Sequence, residues 1–128
     1  MGISANVLVR GGLSGTELRG VLVHEGQHLG DAMAFANSFS NDLGWWNVSL
    51  NLTISQLETS AYRLTDAVYR ADRKTFTGGC SGCDLGLGAK TPADVDRAIN
   101  RILSDPKGPY HAVLGQRQFG NFPPPGAP

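Results

Sequence analysis

The sequence predicts a mainly helical α+β fold with three helices and a few short strands. Three segments, at about residues 14–35, 55–73 and 91–105, space their apolar residues three or four positions apart, as helices with one buried face do. Two shorter runs, residues 5–10 and 47–54, are rich in β-favouring residues or alternate polar with apolar ones, which is typical of strands. Glycine, proline and asparagine concentrate between these segments, so we expect short elements joined by irregular chain.

Length and composition predict one domain and disfavour several classes of partner. The chain has 128 residues, enough for one core, which we place at about residues 5–105, with an extended Pro/Gly-rich tail over 106–128. Eleven basic and eleven acidic residues cancel without forming a run of either sign, which disfavours a nucleic-acid surface. No apolar stretch approaches the about 20 residues that span a bilayer, and there is no signal peptide.

The first helix contains the motif His24-Glu25-x-x-His28. Residues four apart return to nearly the same face of a helix, so both imidazoles can bind one metal ion. Glu25 lies about 100° around the helix, where it can reach a water on that metal and act as a general base. Ser14 and Glu17 match a capping box, which predicts the start of this helix.

Three glycines interrupt the same helix, at positions 20, 26 and 30. Each lowers helix propensity by about 1 kcal/mol relative to alanine. We therefore expect another segment to approach the helix closely at these positions.

A catalytic zinc takes three protein ligands and leaves one position for water, so a third ligand is needed. Asp31 lies one turn beyond His28, but three ligands from one straight helix lie nearly in a line, which suits a tetrahedron poorly. Glu58 comes from the second helix and can close the site from the side. The competing interpretation is that Glu58 forms a capping box with Ser55. We favour Glu58 as the third ligand.

The second helix shows one apolar stripe and several charged residues. The stripe comprises Leu57, Ala61, Leu64, Val68 and Ala71. The charged residues lie mostly on other faces, where we expect solvent and assign no chemistry: Arg63, Asp66, Arg70, Asp72 and Arg73.

A glycine-rich loop or hairpin over residues 75–89 carries Cys80 and Cys83. A single CxxC pair without further cysteines or a histidine pair is a weak zinc signal. We expect a disulfide or two free thiols there. The third helix begins after Thr91 as its cap, with Pro92 in the first turn.

Two segments together resemble a family of zinc-metallopeptidase toxin domains, found at the C-terminal ends of Rhs-type and other bacterial polymorphic toxins. They are the segment from His24 to Ala32 and the later Leu57-Glu58-Thr59-Ser60-Ala61-Tyr62-Arg63. The resemblance covers about residues 16–70 and implies a compact zincin-like domain of the gluzincin type. It implies Zn²⁺ bound by His24, His28 and Glu58, Glu25 as the base, and Asp31 orienting a histidine.

The chemistry expected of such a site is hydrolysis of a peptide bond by a metal-activated water. The oxyanion needs a further donor, and Tyr62, Tyr110 or His111 can provide one. Tyr62 lies one turn after Glu58 and is our candidate catalytic residue beside Glu25, with a core position as its alternative.

The resemblance also implies partners and a location. We expect a protein or peptide substrate, a parent delivery protein, a cognate immunity protein, and secretion or delivery into a target cell. Two other readings stay open: a binding module whose metal only braces two helices, and a hydrolase of a non-peptide amide such as a cell-wall crosslink.

Overall fold

The computed structural model describes residues 8–37 and 50–120. Within them the fold is α+β and mainly helical, as predicted, with a two-stranded antiparallel sheet between the second and third helices. The sheet pairs Thr75 with Gly86 and Phe76 with Leu85. The elements are α1 (Gly15–Asn37), α2 (Ile54–Ala71), β1 (Thr75–Phe76), β2 (Leu85–Gly86) and α3 (Pro92–Ser104).

Both strands predicted from the N-terminal half are wrong where they can be compared. Residues 8–10 form no regular element, and α2 already begins at Ile54, so its first residue overlaps the expected strand. Thr53 makes only an isolated bridge, to Arg117. The remaining parts of the two runs, residues 5–7 and 47–49, lie outside the described residues.

The start of α2 is fixed by its own cap and by a distant segment. Thr53 is the N-cap, and its hydroxyl accepts a hydrogen bond from the Gln56 amide at 3.2 Å while the Gln56 side chain returns to the Thr53 amide. The amide of Ile54 donates to the carbonyl of Gln116 at 2.7 Å. Such partners satisfy the amides that every helix start leaves unpaired. The capping box is thus Thr53 with Gln56, and Glu58 has no part in it.

The expected extended tail is wrong for residues 109–120, which form successive turns and pack back on the chain. Asn51 is 1% exposed, and its Oδ1 accepts a hydrogen bond from the Phe119 amide at 3.1 Å. The amide of Gln118 donates to the carbonyl of Leu52 at 2.8 Å. Buried backbone groups need such partners, so this segment is part of the folded domain. Residues 121–128 lie outside the described part of the chain.

The hydrophobic core lies between α3, the hairpin and one face of α2. Partly buried Tyr62, Phe76 and Tyr110 pack against it. α3 presents its apolar side there, and Thr91 caps it as predicted, together with Asp94. The core residues are Cys83, Leu85, Ala89, Val95, Ala98, Ile99, Ile102 and Leu103. α1 contributes none of them.

Asp66 is buried rather than solvated, which corrects the expectation for the charged face of α2. Its Oδ1 accepts hydrogen bonds from the Gly86 amide at 2.7 Å and from Arg70 at 3.0 Å. Arg70 also donates to the carbonyl of Ala89 at 2.6 Å. These contacts hold the hairpin against α2.

α1 packs on α2, and most of its apolar side chains are half-buried rather than buried. Its buried residues are Thr16, Gly20 and Phe35. The hydroxyl of Thr16 donates to Asp72 at 2.6 Å, and Arg19 pairs with the same carboxylate. Of the three glycines, Gly20 approaches a neighbour closely, since an added Cβ would lie 2.8 Å from Cε1 of Tyr69. A Cβ added at Gly26 or Gly30 would meet no atom within 4 Å in the described chain.

Cys80 and Cys83 are joined by a disulfide in the hairpin loop, with their Cα atoms 5.2 Å apart. Cys83 is fully buried in the core. Among the described residues, no helix is both long and apolar enough to cross a membrane.

Candidate metal centre

His24 and His28 on α1 converge with Glu58 on α2, as the sequence predicted. The Nε2 atom of His24 lies 3.0 Å from Oε2 of Glu58, and Nε2 of His28 lies 3.0 Å from its Oε1. The three side chains offer ligand atoms that all lie within 4.8 Å of one another. Only 12% of the His24 side chain, 24% of that of His28 and 13% of that of Glu58 are exposed.

The two helices position these groups by simple spacing. The four-residue interval brings both imidazoles to one face of α1, with ring centroids 4.9 Å apart. Glu58 lies in the second turn of α2, and its rotation about the helix axis follows from where that helix begins. The cap at Thr53 therefore helps to place the carboxylate.

Thr65 also belongs to the site, although it was not predicted from the sequence. Its hydroxyl lies 3.1 Å from Nδ1 of His24 and donates to the carbonyl of Ala61 at 3.3 Å. Since the hydroxyl donates its hydrogen to that carbonyl, its oxygen accepts a hydrogen bond from Nδ1–H of His24. Thr65 follows Glu58 by two helical turns, so helical periodicity could have indicated it.

This hydrogen bond fixes the tautomer of His24. With the proton on Nδ1, Nε2 of the neutral ring turns a lone pair towards the Glu58 carboxylate, and in the absence of a metal only a ring that carries a second proton can donate a hydrogen bond there. Two facing lone pairs repel unless a proton or a metal cation lies between them. Ligands about 2.0–2.1 Å from a tetrahedral ion stand roughly 3.3 Å apart, close to the two histidine–carboxylate distances of 3.0 Å. Two imidazoles and a carboxylate are ligands that zinc and other transition ions accept, so the residues fit a bound metal.

The electrostatics of the three groups are coupled. Burial raises the pKa of Glu58, but hydrogen bonds from His24 and His28 outweigh burial and lower the pKa to about 2. The hydrogen bond to Glu58 raises the pKa of His28, against the opposing effect of burial. The carboxylate is therefore ionised at any ordinary pH, as a metal ligand must be.

Glu25 and two tyrosines face a cleft of about 240 Å³ beside His24. The ring of Tyr62 stands edge-on to that of His24, with centroids 4.6 Å apart, and its hydroxyl lies 3.1 Å from that of Tyr110. Burial raises the pKa of both tyrosines, so both stay neutral. One hydrogen bond uses one of the two hydroxyl protons, and the other remains free to be donated.

Two other candidates are placed differently from the prediction. Asp31 makes no hydrogen bond to a histidine in the described chain: its Oδ1 accepts from Gln27 at 3.1 Å, and its Oδ2 is buried without a partner. Thr65 has the orienting role on His24 instead. His111 is exposed, and its Nδ1 lies 3.3 Å from the carbonyl of Gly108, outside the cleft.

Comparisons with protein families, with curated proteins and with solved structures find no match to this chain.

Proposed function

We propose that the chain is a zinc-dependent metallopeptidase that acts as the toxin domain of a bacterial polymorphic toxin. The observation that carries the enzymatic part is the convergence of His24, His28 and Glu58, with Glu25 beside them on an open cleft. The toxin role rests on the resemblance of the two motif segments. A peptide substrate, a delivery protein and an immunity protein belong to the same proposal.

The residues around the site have distinct tasks in this chemistry. A zinc ion held by the three ligands would lower the pKa of a water and polarise the scissile carbonyl. Glu25 accepts the proton of that water and passes it to the leaving nitrogen. The free hydroxyl proton of the Tyr62–Tyr110 pair is available to the oxyanion.

A second candidate is a binding module in which the metal only braces α1 against α2. The limited burial of α1 favours it, because this helix adds nothing to the main core and fully buries only Thr16, Gly20 and Phe35. A metal linking His24 and His28 to Glu58 would then supply much of its attachment. This role does not require Glu25.

Glu25→Gln separates the two candidates. In the peptidase, the variant keeps zinc and thermal stability but loses activity by about 10²–10⁴-fold, since a general base contributes that much. The assays are metal content of the purified protein, cleavage of unfolded proteins and of cell-wall fragments, and growth of bacteria that express the domain. Full activity and toxicity in Glu25→Gln would reject the proposal that the chain is a peptidase with Glu25 as its general base.

Asp96→Asn is a control that also removes a carboxylate, from an exposed position outside the cleft, and leaves the general base in place. His24→Ala tests the metal itself. If neither zinc nor another divalent ion changes the melting temperature of wild type, and His24→Ala behaves like wild type, the metal centre does not exist.

A further inference from the structure

The cleft beside the candidate metal centre extends away from it along α1 and α2. It begins at His24 and Glu25 and runs towards the start of α1, where Glu17 lines its far part. His24 and Glu17 are two helical turns apart, about 10 Å along the axis at about 1.5 Å per residue. A substrate whose scissile bond lies at His24 can therefore place one long side chain along this cleft.

Aromatic rings line the cleft between these two ends. Tyr69 and Phe76 pack edge to face with centroids 5.3 Å apart, and both line it together with Tyr62. Gly20 allows the ring of Tyr69 to lie directly against α1, since a Cβ at this position would be 2.8 Å from the ring. Flat apolar walls of this kind suit the methylene stem of a long side chain, and ring faces attract cations.

The charges lining the cleft are negative. Apart from His24, the ionisable groups that line it in the described chain are the carboxylates of Glu17 and Glu25 and three tyrosines. Burial raises the pKa of Tyr69, and the negative charge of Glu17, which lines the same cleft, raises it further. No lysine or arginine is among the lining residues.

Glu17 is open to a ligand from solvent. Its ion-pair partner is Arg10, at 3.6 Å, and the two side chains are 58% and 79% exposed. An exposed pair of this kind is weak in water. A cation bound in the cleft can displace it.

We propose that this cleft binds the lysine or arginine side chain of the substrate residue next to the scissile bond. The cationic head reaches Glu17, and the stem lies against Tyr69 and Phe76. This inference rests on the proposed peptidase function and names its substrate class. A long apolar side chain is the competing occupant, and the charge of Glu17 distinguishes the two.

The test uses zinc-loaded protein and four peptides that differ at one position, holding lysine, arginine, norleucine or glutamate. A peptide library with mass-spectrometric mapping of cut sites first identifies that position. We expect kcat/KM for lysine and arginine to exceed that for norleucine by about tenfold, as for one cation bound by a carboxylate and a ring. Glutamate should be cleaved slowest. Equal rates for norleucine and lysine would overturn the inference.

Two variants test whether Glu17 recognises the charge of the substrate side chain. Glu17→Gln should bring the lysine-to-norleucine ratio close to one, and Glu17→Lys should favour the glutamate peptide. Asp96→Asn removes the same charge from an exposed position on α3 and should leave the ratio unchanged. A ratio that survives in Glu17→Gln, or falls equally in Asp96→Asn, would contradict the assignment.

Binding can be measured without hydrolysis. In NMR titrations, N-acetyl-lysine methylamide should shift the signals of Gly20 and Tyr69, whereas its norleucine counterpart should not, and Glu17→Gln should abolish the difference. Lysine binding without cleavage of any peptide would reject the proposed peptidase function but support binding of a cationic side chain by the cleft. Cleavage without lysine preference or lysine binding would support the peptidase function but reject this role of the cleft.

Discussion

Thr65 decides which nitrogen of His24 faces the metal centre. Its hydroxyl accepts a hydrogen bond from Nδ1–H of His24 and donates one to the carbonyl of Ala61. Nε2 of the neutral ring therefore keeps the lone pair that a metal needs. This role depends on a single hydrogen bond between one hydroxyl and one imidazole ring. It was not predicted because threonine in a helix normally has no assigned chemistry, and only its spacing from Glu58 indicates the shared face.

We expect Thr65→Val to weaken zinc affinity by about 10–100-fold, because partners of metal-bound histidines contribute that much. Valine keeps the shape of threonine but cannot accept the Nδ1 proton. Thr65→Ser retains the hydroxyl and is the matched control. Competition with a coloured zinc chelator gives the affinities. Wild-type affinity in Thr65→Val would show that the hydrogen bond does not support the site.

The pKa values of Glu58 and His28 predict an optimum of stability for the metal-free protein. Glu58 has its pKa lowered from 4.5 to about 2, so its contribution is full above pH 4.5 and is lost as the pH falls towards 2. His28 has a raised pKa, so its contribution is full below 6.5 and is lost as the pH rises through the raised value. Chelator-treated protein should therefore melt highest between pH 4.5 and 6.5.

Melting curves at several pH values measure this optimum, and Glu58→Gln serves as the comparison, because it should flatten the dependence. With zinc present the trend should change, since the metal requires a neutral His28 and its stabilisation grows with pH. A metal-free protein that becomes steadily more stable from pH 5 to 8 would be inconsistent with the His28–Glu58 pair.

At the scale of elements, the sequence predicted what local chemistry determines. The start of α3 follows from Thr91 and Pro92, and the shared face of His24 and His28 follows from their spacing. In the described part of the run over residues 47–54, residues 50–54, the alternation misled, because it predicts a strand only where a partner strand is present. At Thr53 the chain instead caps a helix whose first amides are satisfied by Gln116 and its neighbours, far along the chain.

Gly20 offers a test of the contact between α1 and α2. Alanine there brings a Cβ to 2.8 Å from Tyr69, so the ring must move, and we expect Gly20→Ala to destabilise the protein by about 1 kcal/mol despite its better helix propensity. Gly30→Ala meets nothing within 4 Å in the described chain and should stabilise it by about 0.5–1 kcal/mol. Urea unfolding of both variants gives the comparison. Equal stabilisation by both would mean that Gly20 does not limit the packing.

At the scale of the whole molecule, the described residues form one hydrophobic core and a helix, α1, that packs outside it. The core joins α3, the hairpin and α2, whereas α1 is held by hydrogen bonds, by Phe35 stacked on Phe119, and by the candidate metal centre. This division could not be read from the sequence. The apolar residues of α1 suggested a buried stripe, yet Leu22 is 47% exposed.

Zinc removal should therefore affect the molecule unevenly. We expect chelation to increase amide hydrogen exchange in α1 by at least about tenfold and to leave α3 nearly unchanged, because exchange follows local opening. Mass spectrometry of peptides from both helices measures the difference. His111→Ala should respond like wild type, since His111 lies outside the centre. Uniform protection with and without zinc would mean that the metal does not attach α1.

The segment that ends near Gln118 closes the first turn of α2, and this has a consequence for the order of assembly. Gln116 and Leu114 accept the amides of Ile54 and Ser55, so the helix that carries Glu58 is completed by residues made about sixty positions later. A growing chain has both histidines long before this turn can form. We therefore expect the candidate metal centre to form fully only after this segment has been synthesised, because the first turn of α2 lacks these two hydrogen-bond partners until then.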